Sequence, residues 1–160
     1  MNPSQPDNIC SFFDGGLRIT LPWPPSINHY YRNVGSRTLI SREGRTFRRH
    51  VCGLLSEHGS AHLPVEGRLA VSILVFPPDR RRRDMDNIQK PVLDALQHAN
   101  VYQDDSQIDL LITRRGDIIP GGRLEIEVLD MPVRTCPLCD RPGAAITVTW
   151  AEQCAGEAHE

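Results

Sequence analysis

The chain is almost devoid of lysine: 17 of its 18 basic residues are arginine, and Lys90 is the only lysine. It also lacks any apolar run near the ~20 residues that a membrane-spanning helix requires. The stretch MNPSQPDNICSFFDGG at the start has no basic region followed by an apolar one, so we expect no secretory signal. These absences predict a cytoplasmic protein without membrane association, in which the five cysteines stay reduced.

The bulk composition is that of one globular domain. The chain has 160 residues, of which 39% are apolar and 24% charged, enough to bury a core and too apolar for a disordered chain. Residues 1–15 are polar, with scattered proline and glycine, and are interpreted as a flexible leader.

The net charge of −2 conceals a segregation of charge along the chain. Six arginines against one acid, Glu43, lie between residues 29 and 50, whereas residues 132–160 carry two arginines and four acids. Such a distribution matters more than the sum for attracting a polyanion. Arginine also suits two-pronged contacts with phosphate.

Hydrophobic periodicity predicts four strands and two helices. The strands are expected at residues 17–21, 69–76, 109–115 and 123–129, and the helices at residues 41–58 and 86–99. The strand at 69–76 is apolar on both faces, which indicates an interior strand. The last two strands are joined by GDIIPGG, which is typical of a hairpin. The order predicts an α+β fold, a mixed β-sheet with two helices packed on it.

The first helix carries a basic stripe. Ser41 is suited to capping its start, and Phe47, Val51 and Leu54 share one face. Arg42, Arg45 and Arg49 fall on another face at helical spacing. A solvated face and a DNA-facing one are both compatible with this pattern.

The stretch RRRRDMDNIQK, residues 80–90, crowds opposite charges together. Asp84 and Asp86 follow a strand and come at a helix start, where a turn can direct both carboxylates to one point. Hard cations such as Mg²⁺ bind a few carboxylates together with water and phosphate. Asp105 would add a third carboxylate, provided that the segment after the helix returns along the sheet.

The structural alternative needs no metal. Asp86 could cap the helix, and Asp84 could pair with Arg81 or Arg82. Lys90 could pair with Asp94 one turn along the helix. Spacing alone leaves both interpretations open.

A resemblance to a known family is carried by RRRRDMDNIQK, by Asp94-Ala-Leu and by Tyr102-Gln-Asp-Asp-Ser-Gln. These motifs resemble the RusA family of Holliday-junction resolvases. The likeness extends upstream to LPWPPSINHYYR and Ser41-Arg-Glu-Gly, and downstream to Gly121-Gly-Arg-Leu-Glu. It implies a RusA-like endonuclease domain over residues 16–131, with residues 132–160 as a C-terminal tail.

The resemblance implies a homodimeric, Mg²⁺-dependent endonuclease that nicks four-way DNA junctions symmetrically, in DNA recombination and repair. The family's essential aspartates match Asp84, Asp86 and Asp105, which would bind Mg²⁺ or, in its place, Mn²⁺. Its essential lysine matches Lys90, which would stabilise developing charge. Hydrolysis would leave a 5′-phosphate and a 3′-hydroxyl.

Two groups of residues are predicted to contact DNA. Phosphates would be bound by the arginines of the run and of the stripe, namely Arg80, Arg81, Arg82, Arg83, Arg42, Arg45 and Arg49. Asn28, Tyr30 and Tyr31 would stack on or hydrogen-bond exposed bases. Packing and turn formation are the alternative for these last three residues.

The tail lies beyond the resemblance. Cys136, Cys139, Cys154 and His159 have a spacing that resembles a small Cys₃His zinc site. A flexible tail with incidental thiols is the alternative.

Two other functions remain compatible with the sequence. One is a flap or branched-DNA nuclease of broader specificity. The other is a non-catalytic branched-DNA-binding module with structural carboxylates and a zinc-bound tail.

Overall fold

The structure is a computed structural model that describes residues 10–13, 16–57, 67–131, 134–135 and 142–143. The strands and helices are numbered in chain order. The strands are β1 (Cys10–Phe13), β2 (Gly16–Pro22), β3 (Tyr31–Val34), β4 (Arg37–Ile40), β5 (Arg68–Phe76), β6 (Ile108–Arg115), β7 (Arg123–Met131), β8 (Arg134–Thr135) and β9 (Pro142–Gly143). The helices are α1 (Ile27–Tyr30), α2 (Arg42–Glu57) and α3 (Asp86–His98), with a 3₁₀ turn at Asp105–Gln107.

A five-stranded mixed sheet forms the body of the fold. Its strand order is β1-β2-β7-β5-β6. The β5–β6 pair is parallel and the other three pairs are antiparallel. Helix α3 connects the two parallel strands, as such crossovers require. The predicted α+β fold class is confirmed, and β5 lies inside the sheet as its apolar faces indicated.

The predicted hairpin between the last two strands is wrong. Strand β6 and strand β7 both pair with β5, which lies between them. The connection wraps the end of β5, where the Gly116 N–H donates to the Val75 carbonyl at 2.8 Å and the Ile119 N–H donates to Pro77 at 2.9 Å. Glycine and proline correctly predicted the turn, but strand β5, which lies between β6 and β7, comes from far earlier in the chain.

The hydrophobic periodicity that predicted the elements also predicted the core. Leu17, Ile19 and Leu21 of β2 are fully buried, and so are alternate residues of β7. On α2, the predicted face of Phe47, Val51 and Leu54 is buried against the same core. The Ser41 hydroxyl accepts a hydrogen bond from the Gly44 N–H at 3.0 Å, which confirms the predicted cap.

A small two-stranded sheet, β3–β4, stands apart from the main sheet. It lies between the predicted strand at residues 17–21 and the predicted helix at residues 41–58, where no strand was predicted. Gly35, with φ +61°, begins its two-residue turn. Both strands are largely exposed, so they show no alternation of buried and exposed residues by which a strand is recognised.

Across the described ranges, none of the helices has both the length and the apolar character needed to cross a lipid bilayer.

Candidate active site

Asp84 and Asp86 lie where the loop after β5 enters α3. Asp86 is the first residue of the helix, and both side chains are exposed. The N-cap position belongs to Met85, and no side chain caps the helix start, so Asp86 does not have the capping role of the structural alternative. Within the described residues neither carboxylate forms a hydrogen bond or an ion pair. Their oxygens are therefore available to a ligand.

The arginine run is organised by Asp79 rather than by Asp84. The Asp79 carboxylate accepts hydrogen bonds from the Arg83 guanidinium at 2.6 and 2.9 Å and from the Arg81 backbone N–H at 2.8 Å. These contacts, with Arg83 the larger cause, lower the pKa of Asp79 to about 2. Arg80 and Arg82 are exposed. The run thus has one arginine fixed in the loop and the others directed to solvent.

Contacts from neighbouring elements fix the loop and the helix start. The Arg83 guanidinium lies 5.4 Å from the ring centre of Trp23, and the Arg83 carbonyl accepts a hydrogen bond from Arg115 of β6 at 2.7 Å. On α3, the Gln89 amide donates to the Thr113 hydroxyl at 2.8 Å. The first turn of α3 is thereby attached to the end of β6.

Lys90 lies between two carboxylates. Its Nζ donates to Asp94 Oδ1 at 2.8 Å and lies 4.0 Å from Asp105 Oδ2. The hydrogen bond to Asp94 is the largest cause of a raised Lys90 pKa, and the charge of Asp105 adds to it. The pairing with Asp94 that the structural alternative predicted is present, together with the approach to Asp105 that a catalytic site requires.

Asp105 reaches Lys90 because the chain reverses directly after α3. Asn100 adopts φ +58°, and its N–H bonds to Gln97 while the Val101 N–H bonds to Leu96, which is a Schellman ending. The buried Tyr102 then donates its hydroxyl hydrogen to the Leu93 carbonyl at 2.8 Å. The segment therefore runs back beside α3 far enough to bring Asp105 near Lys90, but it does not bring Asp105 into one group with Asp84 and Asp86.

The two adjacent aspartates of this segment differ in their contacts. The Asp104 side chain accepts a hydrogen bond from the Ser106 N–H at 3.0 Å and caps the 3₁₀ turn. Hydrogen bonding from the Ser106 side chain, and next from its backbone N–H, lowers the Asp104 pKa. The Asp105 side chain is exposed and lies near Lys90. The structure therefore gives Asp104 a local structural role, whereas the Asp105 carboxylate takes no part in the cap and pairs with Lys90.

The carboxylates do not form a closed metal cage in this structure. Throughout the part of the chain that is described, no three His, Cys, Asp or Glu side chains lie close enough together to hold a metal ion. The structure brings Asp105 to Lys90, and Lys90 follows Asp86 by one helical turn. It does not unite Asp84, Asp86 and Asp105 as a preformed triad.

The predicted basic stripe lines an open groove of about 900 Å³. Arg42, Arg45 and Arg49 are exposed along it. Arg32, from β3, and Arg48, from α2, also line the groove, together with Thr38, Leu39, Ile40 and His98. The two added arginines belong to the basic cluster between residues 29 and 50, but their place in the groove depends on the unpredicted β3–β4 hairpin.

The three residues predicted to contact bases lie in different environments. Asn28 is exposed on α1. Tyr30 is fully buried in the core, which favours the packing alternative over base stacking. Tyr31 is partly buried, and its hydroxyl donates to Asp94 Oδ2. The Tyr31–Asp94 contact was not predicted, although Asp94 follows Lys90 at the i+4 spacing of a helical pair.

The predicted zinc ligands lie outside the described residues. Cys136, Cys139, Cys154 and His159 all belong to ranges of which the structure gives no description. The zinc site and its alternative therefore both stay predictions, as do the limits of the predicted domains.

The structure combines exposed carboxylates and a lysine with an arginine-rich groove, a combination typical of enzymes that cleave nucleic acid. The family model described as endodeoxyribonuclease RusA matches residues 22–129, and the chain belongs to this family. It is 39% identical over 114 residues to the crossover junction endodeoxyribonuclease RusA of Enterobacteria phage HK97, covering 71% of this chain and 94% of the relative.

Two further relatives carry the same description. The protein of Escherichia coli strain K12 is 41% identical over 115 residues, and that of Enterobacteria phage 82 is 43% identical over 117 residues. In both, the alignment covers 71% of this chain and 93% of the relative.

Proposed function

We propose that this protein resolves four-way DNA junctions by metal-dependent hydrolysis of one phosphodiester bond in each of two opposing strands. The observation that carries the proposal is the return of Asp105 to within 4.0 Å of Lys90, in a chain that belongs to the RusA family. The names of the curated relatives describe them as acting on crossover junctions. The role would be in DNA recombination and repair in the cytoplasm.

The chemistry of the site fits a divalent cation. Asp84, Asp86 and Asp105 offer exposed carboxylate oxygens, the donors that Mg²⁺ and Mn²⁺ prefer. Because Mg²⁺ commonly binds one or two carboxylates together with substrate phosphate and water, a closed protein cage is not needed. When bound, the metal ion would polarise the phosphoryl oxygen and lower the pKa of a water molecule.

Lys90 supplies fixed positive charge beside the scissile phosphate. Hydrolysis of a phosphodiester accumulates negative charge on the phosphoryl and leaving oxygens, and a preorganised cation there stabilises the transition state more than the ground state. The Lys90 amine is protonated at neutral pH, as for an ordinary lysine, and the hydrogen bond to Asp94 raises its pKa further. The products would be a 5′-phosphate and a 3′-hydroxyl.

The arginines would position the DNA backbone. The run at Arg80 to Arg83 borders Asp84, and the groove carries Arg42, Arg45 and Arg49. Contacts with phosphate release bound counterions, so affinity should fall steeply as salt rises. Asn28 and Tyr31 are the remaining candidates for contacts with bases near the branch point.

A homodimer would match the substrate. Two strands of a two-fold symmetric junction must be cut, and a dimer with two-fold symmetry presents two equivalent sites.

The C-terminal tail would add one zinc ion per chain if Cys136, Cys139, Cys154 and His159 bind it. Elemental analysis of purified protein tests the tail directly.

A labelled four-way junction tests the proposed reaction. The wild-type protein should produce paired nicks near the branch point with Mg²⁺ and none with EDTA. Asp84→Asn should bind the junction without cutting it. Asp117→Asn is the matched control, since Asp117 is exposed in the loop before β7 and should leave cutting unchanged.

Other outcomes identify the two alternative functions. Equal cutting of flaps, junctions and linear duplex would indicate a branched-DNA nuclease of broader specificity. Junction binding with no metal-dependent nicking by the wild-type protein would indicate a non-catalytic binding module.

A further inference from the structure

Asp94 lies at the centre of a polar cluster that the proposed reaction does not use. It belongs to α3, and only 12% of its side chain is exposed. Its Oδ1 atom accepts the hydrogen bond from Lys90, and its Oδ2 atom accepts one from the Tyr31 hydroxyl. Each carboxylate oxygen thus has its own donor.

Arg48 ties this cluster to α2. Its Nη2 atom lies 3.9 Å from Asp94 Oδ2, and its Nε–H donates to the Tyr30 hydroxyl at 2.6 Å. The buried Tyr30 ring meets the Tyr31 ring edge-on, with centroids 4.9 Å apart. Asp94 is therefore held by three elements at once: α2, α3 and the start of the β3–β4 hairpin.

The fixed carboxylate determines where the Lys90 ammonium lies. A lysine side chain has a flexible four-carbon stem and would otherwise sample many rotamers. An exposed i,i+4 pair on a helix contributes only a few tenths of a kcal/mol. Asp94 differs from such a pair because it is mostly buried and immobilised by its other donors. Its Oδ1 atom retains Lys90 on the side of the helix where Asp105 lies.

We propose that Asp94 is a positioning residue for Lys90, holding its ammonium group beside Asp105 at the site of phosphodiester hydrolysis. The inference rests on the proposed function of Lys90. In this role Asp94 acts through the lysine and not by contacting substrate. Its removal should therefore slow the chemical step while leaving junction binding intact.

A double-mutant cycle on the cleavage rate of prebound junction tests the proposal. Asp94→Asn should lower that rate about 10- to 100-fold, the usual effect of removing a residue that orients a catalytic group. In a Lys90→Ala background the same change should cost nothing further. Equal losses in both backgrounds would overturn the proposal, because a general structural effect would add. Asp109→Asn is the control, since it breaks an ion pair with Arg68 elsewhere on the sheet.

A second readout does not require activity. Because Lys90 is the only lysine, lysine-selective ¹⁵N labelling gives a single side-chain ammonium signal. Exchange of the ammonium protons with water should be slow in the wild-type protein and faster in Asp94→Asn. An unchanged exchange rate would contradict the proposal. If Asp94→Asn does not fold, Tyr31→Phe is measured instead, because it removes a donor that immobilises Asp94 and leaves the carboxylate in place. Faster exchange at Lys90 then supports the proposal, and an unchanged rate contradicts it.

The two readouts separate failure of this inference from failure of the proposed function. If Lys90→Ala cuts junctions as fast as the wild type, the proposed role of Lys90 is wrong, whatever the exchange rate. If Lys90→Ala slows cutting strongly while Asp94→Asn retains the full rate, only the role of Asp94 is wrong.

Discussion

Tyr102 donates its hydroxyl hydrogen to the backbone carbonyl of Leu93 across 2.8 Å, and so joins the segment after α3 to the same helix. The Tyr102 side chain is buried, and burial is the largest cause of its raised pKa. Three residues further on, Asp105 approaches Lys90. This contact helps to hold the segment that brings Asp105, from beyond the helix, to within 4.0 Å of Lys90.

Removing the Tyr102 hydroxyl should loosen the segment that brings Asp105 back to Lys90. Tyr102→Phe keeps the buried ring and deletes one hydrogen bond, so the free energy of unfolding should fall by about 1 kcal/mol. Junction cleavage should slow while junction binding stays unchanged, because Asp105 is less firmly held. Urea unfolding and single-turnover cleavage measure the two effects. Wild-type cleavage in this variant would mean that the contact does not position Asp105.

Two glycines of α2 should respond in opposite ways to alanine. A Cβ atom on Gly44 would lie 2.7 Å from the Tyr30 carbonyl oxygen and 2.8 Å from Ile40 Cγ2, whereas one on Gly53 would meet nothing within 4 Å. Gly44→Ala should therefore destabilise the fold by about 1–3 kcal/mol. Gly53→Ala should stabilise it by up to about 1 kcal/mol through helix propensity.

Urea unfolding of both variants checks this pair. The close approach of Gly44 to Tyr30 supports the position of α1 and of the hairpin that follows. An equal gain of stability in both variants would show that the helix packs less tightly there.

The ion pair between Asp79 and Arg83 should make stability depend on acid pH. The folded-state pKa of Asp79 lies at about 2, below the ordinary value of 3.8. The ionised carboxylate therefore stabilises the fold above the ordinary value, and this contribution is lost as pH falls towards the folded-state value. The difference in unfolding free energy between the wild type and Asp79→Asn should shrink across that interval. A difference that stays constant with pH would contradict the ion pair.

Neutralising the groove arginines should change the salt dependence of DNA binding. Arg42→Gln and Arg49→Gln should each weaken junction binding and reduce the slope of log K against log salt by about 1 if each contacts a phosphate. Arg68→Gln is the matched control, because Asp109 already neutralises Arg68. Binding measured by fluorescence anisotropy at several salt concentrations gives the slopes. Equal slopes in all three variants would show that the groove arginines do not contact DNA phosphates.

Local sequence patterns were sufficient for most individual elements. The hydrophobic periodicity from Leu17 to Leu21 and from Phe47 to Leu54 arises because these residues are buried against one core. Ser41 caps helix α2 through a contact within the next three residues. The β3–β4 hairpin had a local signal in Gly35-Ser36, but its strands are exposed and show no alternation.

Features that depend on distant parts of the chain were not predictable in the same way. The position of β5 between β6 and β7 arises from pairing across the sheet, and no residue of the connecting loop encodes it. The return of Asp105 had a partial signal in Asn100 after the helix. The roles of Arg48 and Tyr31 around Asp94 required the packing of α2, α3 and the hairpin.

The central claim is that Asp84, Asp86 and Asp105 serve one metal ion beside Lys90. Anomalous diffraction from crystals of the protein with junction DNA and Mn²⁺ measures this most directly, since the peak locates the ion against each carboxylate. We predict a peak within coordination distance of Asp84, Asp86 and Asp105, directly or through one bound water, with a phosphate oxygen completing the shell. A peak bound by the earlier pair while Asp105 remains apart, or no peak at all, would contradict it.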